Sequence, residues 1–255
     1  MNFFLITGLI LFLYMNLWFI LAVARKRNDV ADIAWGPGFV VMAWGAMITE
    51  GKWGMSALLV NILVTVWGLR LAWHIFRRNR NKGEDFRYLE WRKSWGKWFY
   101  FRSYFQVFML QGVLLFIIVL PVLIINKNGF RTLGWFDLAG ILVWCTGFIV
   151  EASADRQLAE FVKKPSNKGK ILQTGLWRYS RHPNYFGEVV QWWGLFLIAL
   201  SLPDGWMTFP GPITITLLIL FVSGVPLLEK KYAGRPDWEE YKNKTSIFFP
   251  LPPSR

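Results

Sequence analysis

The chain has almost no sulfur or imidazole chemistry to offer. Cys145 is its one cysteine, so no disulfide can form within it. His74 and His182 are its only histidines, and with a single cysteine they cannot furnish an ordinary zinc set, so no metal site is expected. No Gly-x-Gly-x-x-Gly and no Gly-x-x-x-x-Gly-Lys-Ser/Thr stretch occurs, which removes a soluble dinucleotide-binding module and a P-loop. Acidic residues are scarce, 16 against 29 Lys and Arg, for a net charge of +13. That excess alone would suit nucleic acid. Here the cations fall between long apolar runs rather than on one face of a folded domain, so no nucleic-acid partner is expected.

What the sequence has in plenty is apolar length: 54% of its 255 residues are hydrophobic. Runs at 2–24, 33–48, 55–76, 104–125, 135–152, 185–202 and 210–228 approach or reach the roughly 20 residues that cross a bilayer. The runs at 33–48 and 185–202 are short and would need tilt or local thinning. Positive charge follows the first run at Arg25, Lys26 and Arg27 instead of preceding it, which reads as a membrane span rather than a cleaved leader. The expectation is an all-α integral membrane protein of about seven transmembrane helices. Lys and Arg crowd the links after the first, third and fifth runs and the tail after the seventh. By that asymmetry the N-terminus lies outside and the C-terminus in the cytoplasm. Tryptophans such as Trp53, Trp98, Trp135 and Trp206 sit near run ends, as interfacial belts require. The link from Arg77 to Trp98 is long enough for a short amphipathic helix on the membrane surface.

The densest polar stretch is 151–188. Glu151 and Asp155 are four apart and share a helix face, as do Asn184 and Glu188. Pro183 suits the first turn of the sixth span, placing Arg178, Arg181 and His182 at its positive end, where an anion is favoured. Two plainer readings stand beside this one: Glu188 paired structurally with an arginine, and Arg178 and Arg181 meeting anionic lipid. A second cluster comprises Asp29, a possible helix cap, and Asp32 at the mouth of the second span. His74 lies at the end of the third span, between Arg70 and Arg77, where it could donate a proton or serve only as a satisfied hydrogen bonder. Gly83–Tyr88 reads as a turn followed by the start of a surface helix. The charged, aromatic tail from Glu229 to Pro250 could close over a ligand or pack on the loops.

The stretch from Gly175 through Trp177-Arg178-Tyr179-Ser180-Arg181-His182-Pro183-Asn184-Tyr185-Phe186-Gly187 to Glu188 resembles the membrane-embedded steroid 5-alpha-reductase family, in particular its bacterial branch. Asp29–Gly38, Gly83–Tyr88 and the tail from Pro226 to Pro250 extend the resemblance over most of the chain. It implies NADPH held by Asp155, Lys163, Lys170, Arg178, Tyr179, Arg181, His182, Asn184, Tyr185, Glu188 and Tyr232. Asp32, in its neutral form, and His74 would then hydrogen-bond the carbonyl of an unsaturated lipid drawn from the bilayer, taking the places of the family's glutamine–glutamate pair and tyrosine. It further implies a substrate-side part, residues 1–126, a cofactor-side part, residues 135–255, and a bacterial inner membrane. A related Arg-His-Pro-x-Tyr motif occurs in isoprenylcysteine carboxyl methyltransferases. An S-adenosylmethionine-dependent lipid methyltransferase therefore stays open as an alternative, as does a non-enzymatic lipid-binding or transport protein.

Overall fold

A computed structural model describes residues 2–80, 82–129 and 132–254. The protein is all-α, with no strand among the described residues. In chain order its helices are α1 (Phe3–Arg25), α2 (Val30–Glu50), α3 (Met55–Asn79), α4 (Phe86–Trp95), α5 (Phe99–Ser103), α6 (Leu110–Ile118), α7 (Leu120–Asn128), α8 (Trp135–Lys163), α9 (Pro183–Ala199), α10 (Pro210–Leu217), α11 (Val225–Tyr232) and α12 (Pro236–Lys244). Wider π-helical turns at Tyr104–Met109 and Leu218–Val222 join α5 to α6 and follow α10.

Among the described residues, six helical stretches are long and apolar enough to cross a membrane: Phe3–Arg25, Val30–Glu50, Met55–Asn79, Phe86–Ile118, Trp135–Lys163 and Gly205–Tyr232. The remaining apolar run of the sequence forms α9, which has only 17 residues. At 1.5 Å per residue that is about 26 Å, a little less than the ~30 Å hydrocarbon core. Outward faces are oily. Leu5, Leu13, Leu17 and Ile20 of α1 are each at least 60% exposed, a pattern that suits lipid as solvent rather than water.

The chain folds as two compact units, Met1–Gly134 with Leu202–Pro210, and Trp135–Ser201 with Gly211–Arg255. In the first, α2 packs on α1, α3, α6 and α7. The contact with α3 is made at two glycines: a Cβ on Gly36 would sit 2.3 Å from the Gly68 carbonyl oxygen. Pro37 lies inside α2, which starts at Val30. A membrane helix tolerates it because neighbouring groups can satisfy the freed carbonyl. The fourth apolar run bends at Val119, just before Pro121, for the ordinary reason that proline cannot continue the hydrogen-bond ladder. Deeper in this unit, Asn61 and Asn126 exchange amide hydrogen bonds of 3.2 and 2.9 Å, so neither buried amide is left unpaired.

The second unit is organised by the antiparallel pair α8 and α9. Gly140 and Gly147 on one helix, and Gly187 and Gly194 on the other, are each seven residues apart, about two turns, and so share a face. They meet crosswise: a Cβ on Gly147 would lie 2.6 Å from the Gly187 oxygen, and one on Gly140 2.6 Å from the Gly194 oxygen. Small residues here let the backbones touch. A Cβ on Gly187 would meet Gly147 O at 2.5 Å and Glu151 N at 2.6 Å, both backbone atoms that cannot swing aside. Gly187→Ala should therefore lower unfolding stability by about 1–3 kcal/mol. Thermal unfolding in detergent reads this out, and an unchanged midpoint would refute the close contact.

Candidate functional site

The glycine contact brings the polar residues of α8 and α9 face to face. α8 runs on past the apolar stretch to Lys163, so Glu151 and Asp155 lie within it and are buried. Asn184 Nδ2 donates to Asp155 Oδ1 at 3.1 Å, and Gln191 Nε2 donates to Glu151 Oε2 at 2.5 Å. Glu188, one turn beyond Asn184, is also buried. The two i, i+4 pairs of the sequence thus form one polar seam along the helix contact.

Beside the end of α8 lies a cavity of about 520 Å³. Lys163, Lys164, Lys168 and Lys170 border it, together with the aromatic side chains of Phe161, Trp177, Tyr232, Trp238 and Tyr241. No Asp or Glu is among its lining residues. Of the residues expected to hold a cofactor, Lys163, Lys170, Arg181, His182 and Tyr232 line this cavity. Asp155, Asn184 and Glu188 belong to the seam. Tyr185 stacks on His182 with ring centroids 5.7 Å apart. Arg178 and Tyr179 are exposed and do not line the cavity.

The cavity is closed from the tail side by a dense set of bonds. Pro183 takes the first turn of α9, as the sequence suggested, and His182 precedes it at the cap position without a side-chain capping bond. Arg181 is 6% exposed, and its guanidinium is fully engaged: Nε and Nη2 bond Glu229 at 2.9 and 3.2 Å, and Nη1 donates to the carbonyls of Lys242 and Thr245. His182 Nε2 lies 3.0 Å from Glu229 Oε1. Arg181 therefore fastens the tail to the 177–182 loop rather than pointing a spare fork at a ligand. Tyr241 bonds the Trp177 carbonyl, Ser180 Oγ donates to Phe248 O, and Leu251 N donates to Tyr179 O. Burial pushes the Tyr241 phenol above its ordinary range, so it remains a donor across ordinary pH. Of the two roles the sequence left open, the tail packs on the loop, and its Trp238 and Tyr241 also line the cavity.

In the first unit Asp32 lies in the first turn of α2. Arg87 Nη2 donates to its Oδ2 at 2.6 Å, and the Tyr88 hydroxyl donates to its Oδ1 at 2.8 Å. Both bonds come from α4, not from His74, which is half-buried on α3. Asp85 caps α4 by accepting from Arg87 N at 3.0 Å and also bonds Arg87 Nε at 2.9 Å. Burial alone would raise the Asp85 carboxyl, but the Arg87 bonds hold it below the usual carboxylate range. Glu84 in turn takes Asn28 N and the Arg92 guanidinium, while Arg27 reaches the carbonyls of Lys82 and Gly83. The 82–92 segment is therefore locked onto the start of α2. Tyr88 is only 3% exposed. Asp29 holds the cap position of α2, but its carboxylate bonds Arg27 instead of the helix backbone.

Arg87 and Tyr88 went unread in the sequence as site residues. Their one local signal was the Asp85 cap, which marks a helix start but not its partner 55 positions away. Lys164, Lys168, Trp177, Trp238 and Tyr241 were missed for the same reason, since the cavity joins three separate stretches of chain. No group of three or more His, Cys, Asp or Glu suited to a metal occurs among the described residues.

The family model for "Protein of unknown function (DUF1295)" matches residues 18–245, nearly the whole chain. The chain belongs to the DUF1295 family. It is also similar to an uncharacterised protein of Schizosaccharomyces pombe, 26% identical over 216 residues that cover 76% of this chain and 63% of that one. It is 34% identical over 108 residues to 3-oxo-5-alpha-steroid 4-dehydrogenase 1 of Mus musculus, covering 36% of this chain and 42% of that one. A 67-residue stretch is 36% identical to steroid 5-alpha-reductase DET2 of Gossypium hirsutum, 26% of either chain. The chain thus spans just under two thirds of the yeast protein and less than half of these two reductases. No solved structure matches it. The resemblance to steroid 5-alpha-reductases seen in the sequence stands alongside this DUF1295 membership.

Proposed function

We propose that this DUF1295 protein is a membrane-embedded, NADPH-dependent reductase of a carbon–carbon double bond conjugated to a carbonyl in a steroid-like or other lipid. The observation that carries the reading is the cavity wall: four lysines, five flat aromatic side chains and no carboxylate. That donor set fits a dinucleotide bearing a 2′-phosphate. Lysines meet phosphate oxygens, aromatic faces meet the base, and the acid that would bond a free ribose 2′-hydroxyl is missing. S-Adenosylmethionine has no phosphate and carries a sulfonium cation, which four lysines would repel. The likeness to named steroid 5-alpha-reductases supports the same reaction class.

In this reading Lys163, Lys164, Lys168 and Lys170 hold the phosphates, and Asn184, Asp155 and Glu188 hold the reactive end of the cofactor. NADPH, when bound, supplies the hydride. Arg181 and His182 keep the wall in place through Glu229. The first unit serves the substrate. Asp32 holds the Tyr88 hydroxyl and Arg87 holds Asp32. In the reduction that hydroxyl would turn from Asp32 to the lipid's developing enolate and give up its one proton, with Arg87 balancing the charge left on the pair. His74 is the second candidate donor. The C-terminal side then faces the cytoplasm, where NADPH is available, and the membrane is a bacterial inner membrane.

Purified protein with NADPH deuterated at the transferable position should label an α,β-unsaturated ketone lipid, detected as a saturated, deuterated product by mass spectrometry. No label in any lipid of an enone panel would remove the proposal. Tyr88→Phe should lower kcat by about 100-fold or more while leaving NADPH affinity unchanged. Equal kcat in that variant would exclude Tyr88 as the proton donor.

A further inference from the structure

The inward and outward faces of the α4–α5 elbow carry different kinds of cation. Arg87 and Arg92 face inward and are committed, Arg87 to Asp32 and Asp85, Arg92 to Glu84 at 3.1 Å. Lys93, Lys97 and Arg102 face outward, exposed, and meet no carboxylate among the described residues. Arg102 instead lies over the Trp95 ring, 5.9 Å from its centroid. Interleaved with them are exposed apolar side chains: Leu89 (44%), Trp98 (55%), Phe101 (60%) and Phe105 (51%).

Length decides what this surface faces. The helical stretch Phe86–Ile118 has 33 residues, about 50 Å if straight, against a hydrocarbon core of roughly 30 Å. Its first part must therefore leave the hydrocarbon. Gly96, at φ +49°, supplies the turn, ending α4 in a conformation that residues with a Cβ rarely adopt. The stacked pair Trp91 and Trp95, 5.2 Å between centroids, stiffens α4 just before it. Aromatic side chains with unpaired cations at such a bend match the boundary between acyl chains and headgroups.

We infer that the elbow is a binding surface for anionic phospholipid, with Lys93, Lys97 and Arg102 on the headgroup phosphates and Trp98, Phe101 and Phe105 among the upper acyl chains. Zwitterionic lipid fits less well, because its own ammonium competes with the three cations. Through α4 the surface also bears on Asp32 and Tyr88, so the bound lipid steadies the segment that holds them.

The full-length protein in nanodiscs of phosphatidylcholine, with and without phosphatidylglycerol, provides the test. Lipid retained after mild detergent extraction is counted by native mass spectrometry. The wild-type chain should retain phosphatidylglycerol over phosphatidylcholine by about tenfold or more, and the triple substitution K93Q/K97Q/R102Q should bring that ratio close to one. A control, K242Q/K244Q, should leave it unchanged. Overturning results are an undiminished preference in the triple variant, an equal loss in the control, or no preference in the wild type. None of these outcomes depends on whether the protein is a reductase.

Discussion

Arg181→Met should destabilise the protein by about 3–5 kcal/mol, the largest effect expected of any single substitution here. Methionine fills a similar volume, so packing is largely kept. What is lost is every partner of a buried guanidinium: both oxygens of Glu229 and the carbonyls of Lys242 and Thr245. Groups desolvated and left without donors account for most of the penalty. Because two of the lost bonds hold the Lys242 and Thr245 carbonyls, the loss should appear first as release of the segment after α12. That segment would then rest on the Arg181 N–Ser246 O, Ser180–Phe248 and Leu251 N–Tyr179 O bonds. Limited proteolysis should cut there in the variant and not in the wild type. Denaturant unfolding supplies the free energy. Adding Glu229→Leu should recover part of it, since the stranded carboxylate is then gone. A cost below about 1 kcal/mol would mean that Arg181 is solvated after all and available to a ligand.

The second large effect concerns the cavity. K163M/K170M should weaken NADPH binding by at least about 100-fold, given charge-assisted contacts each worth about 1.5–3 kcal/mol. Binding of NADH, which lacks the 2′-phosphate, should fall less. The lysines border open space and make no ion pair among the described residues, so the fold should be unaffected and the unfolding midpoint unchanged. Equilibrium titration of nicotinamide fluorescence reads the affinities. Wild-type affinity in the double variant would take the phosphates out of this cavity.

Much of this architecture was legible from the sequence, for physical reasons that also set the limit. Long apolar runs fix helices with little ambiguity, and α1, α3 and α8 begin within a residue or so of where the runs begin. Residues four apart on a helix share a face, so the Asp155 and Asn184 neighbourhoods could be named in advance, though not their mutual bond. Gly187 was legible as part of the motif that ends at Glu188. Its partner Gly147 was not, because that requires knowing that α8 and α9 run antiparallel with their glycines in register.

Pairings across long separations were the main loss. Nothing local to Asp32 announces Arg87 and Tyr88, and nothing local to Arg181 announces Glu229 or the Lys242 and Thr245 carbonyls. Arginine near a helix N-terminus reads the same in sequence whether it awaits an anion or already holds the tail.

A reductase of this kind must first bind NADPH. Thermal unfolding of the purified protein in detergent, compared with NADPH and with S-adenosylmethionine, tests it most directly. At a hundredfold excess over its dissociation constant, NADPH should stabilise the fold by about 2.7 kcal/mol, and S-adenosylmethionine should not. A shift with S-adenosylmethionine alone, or with neither, would rule out NADPH as the cofactor of this chain.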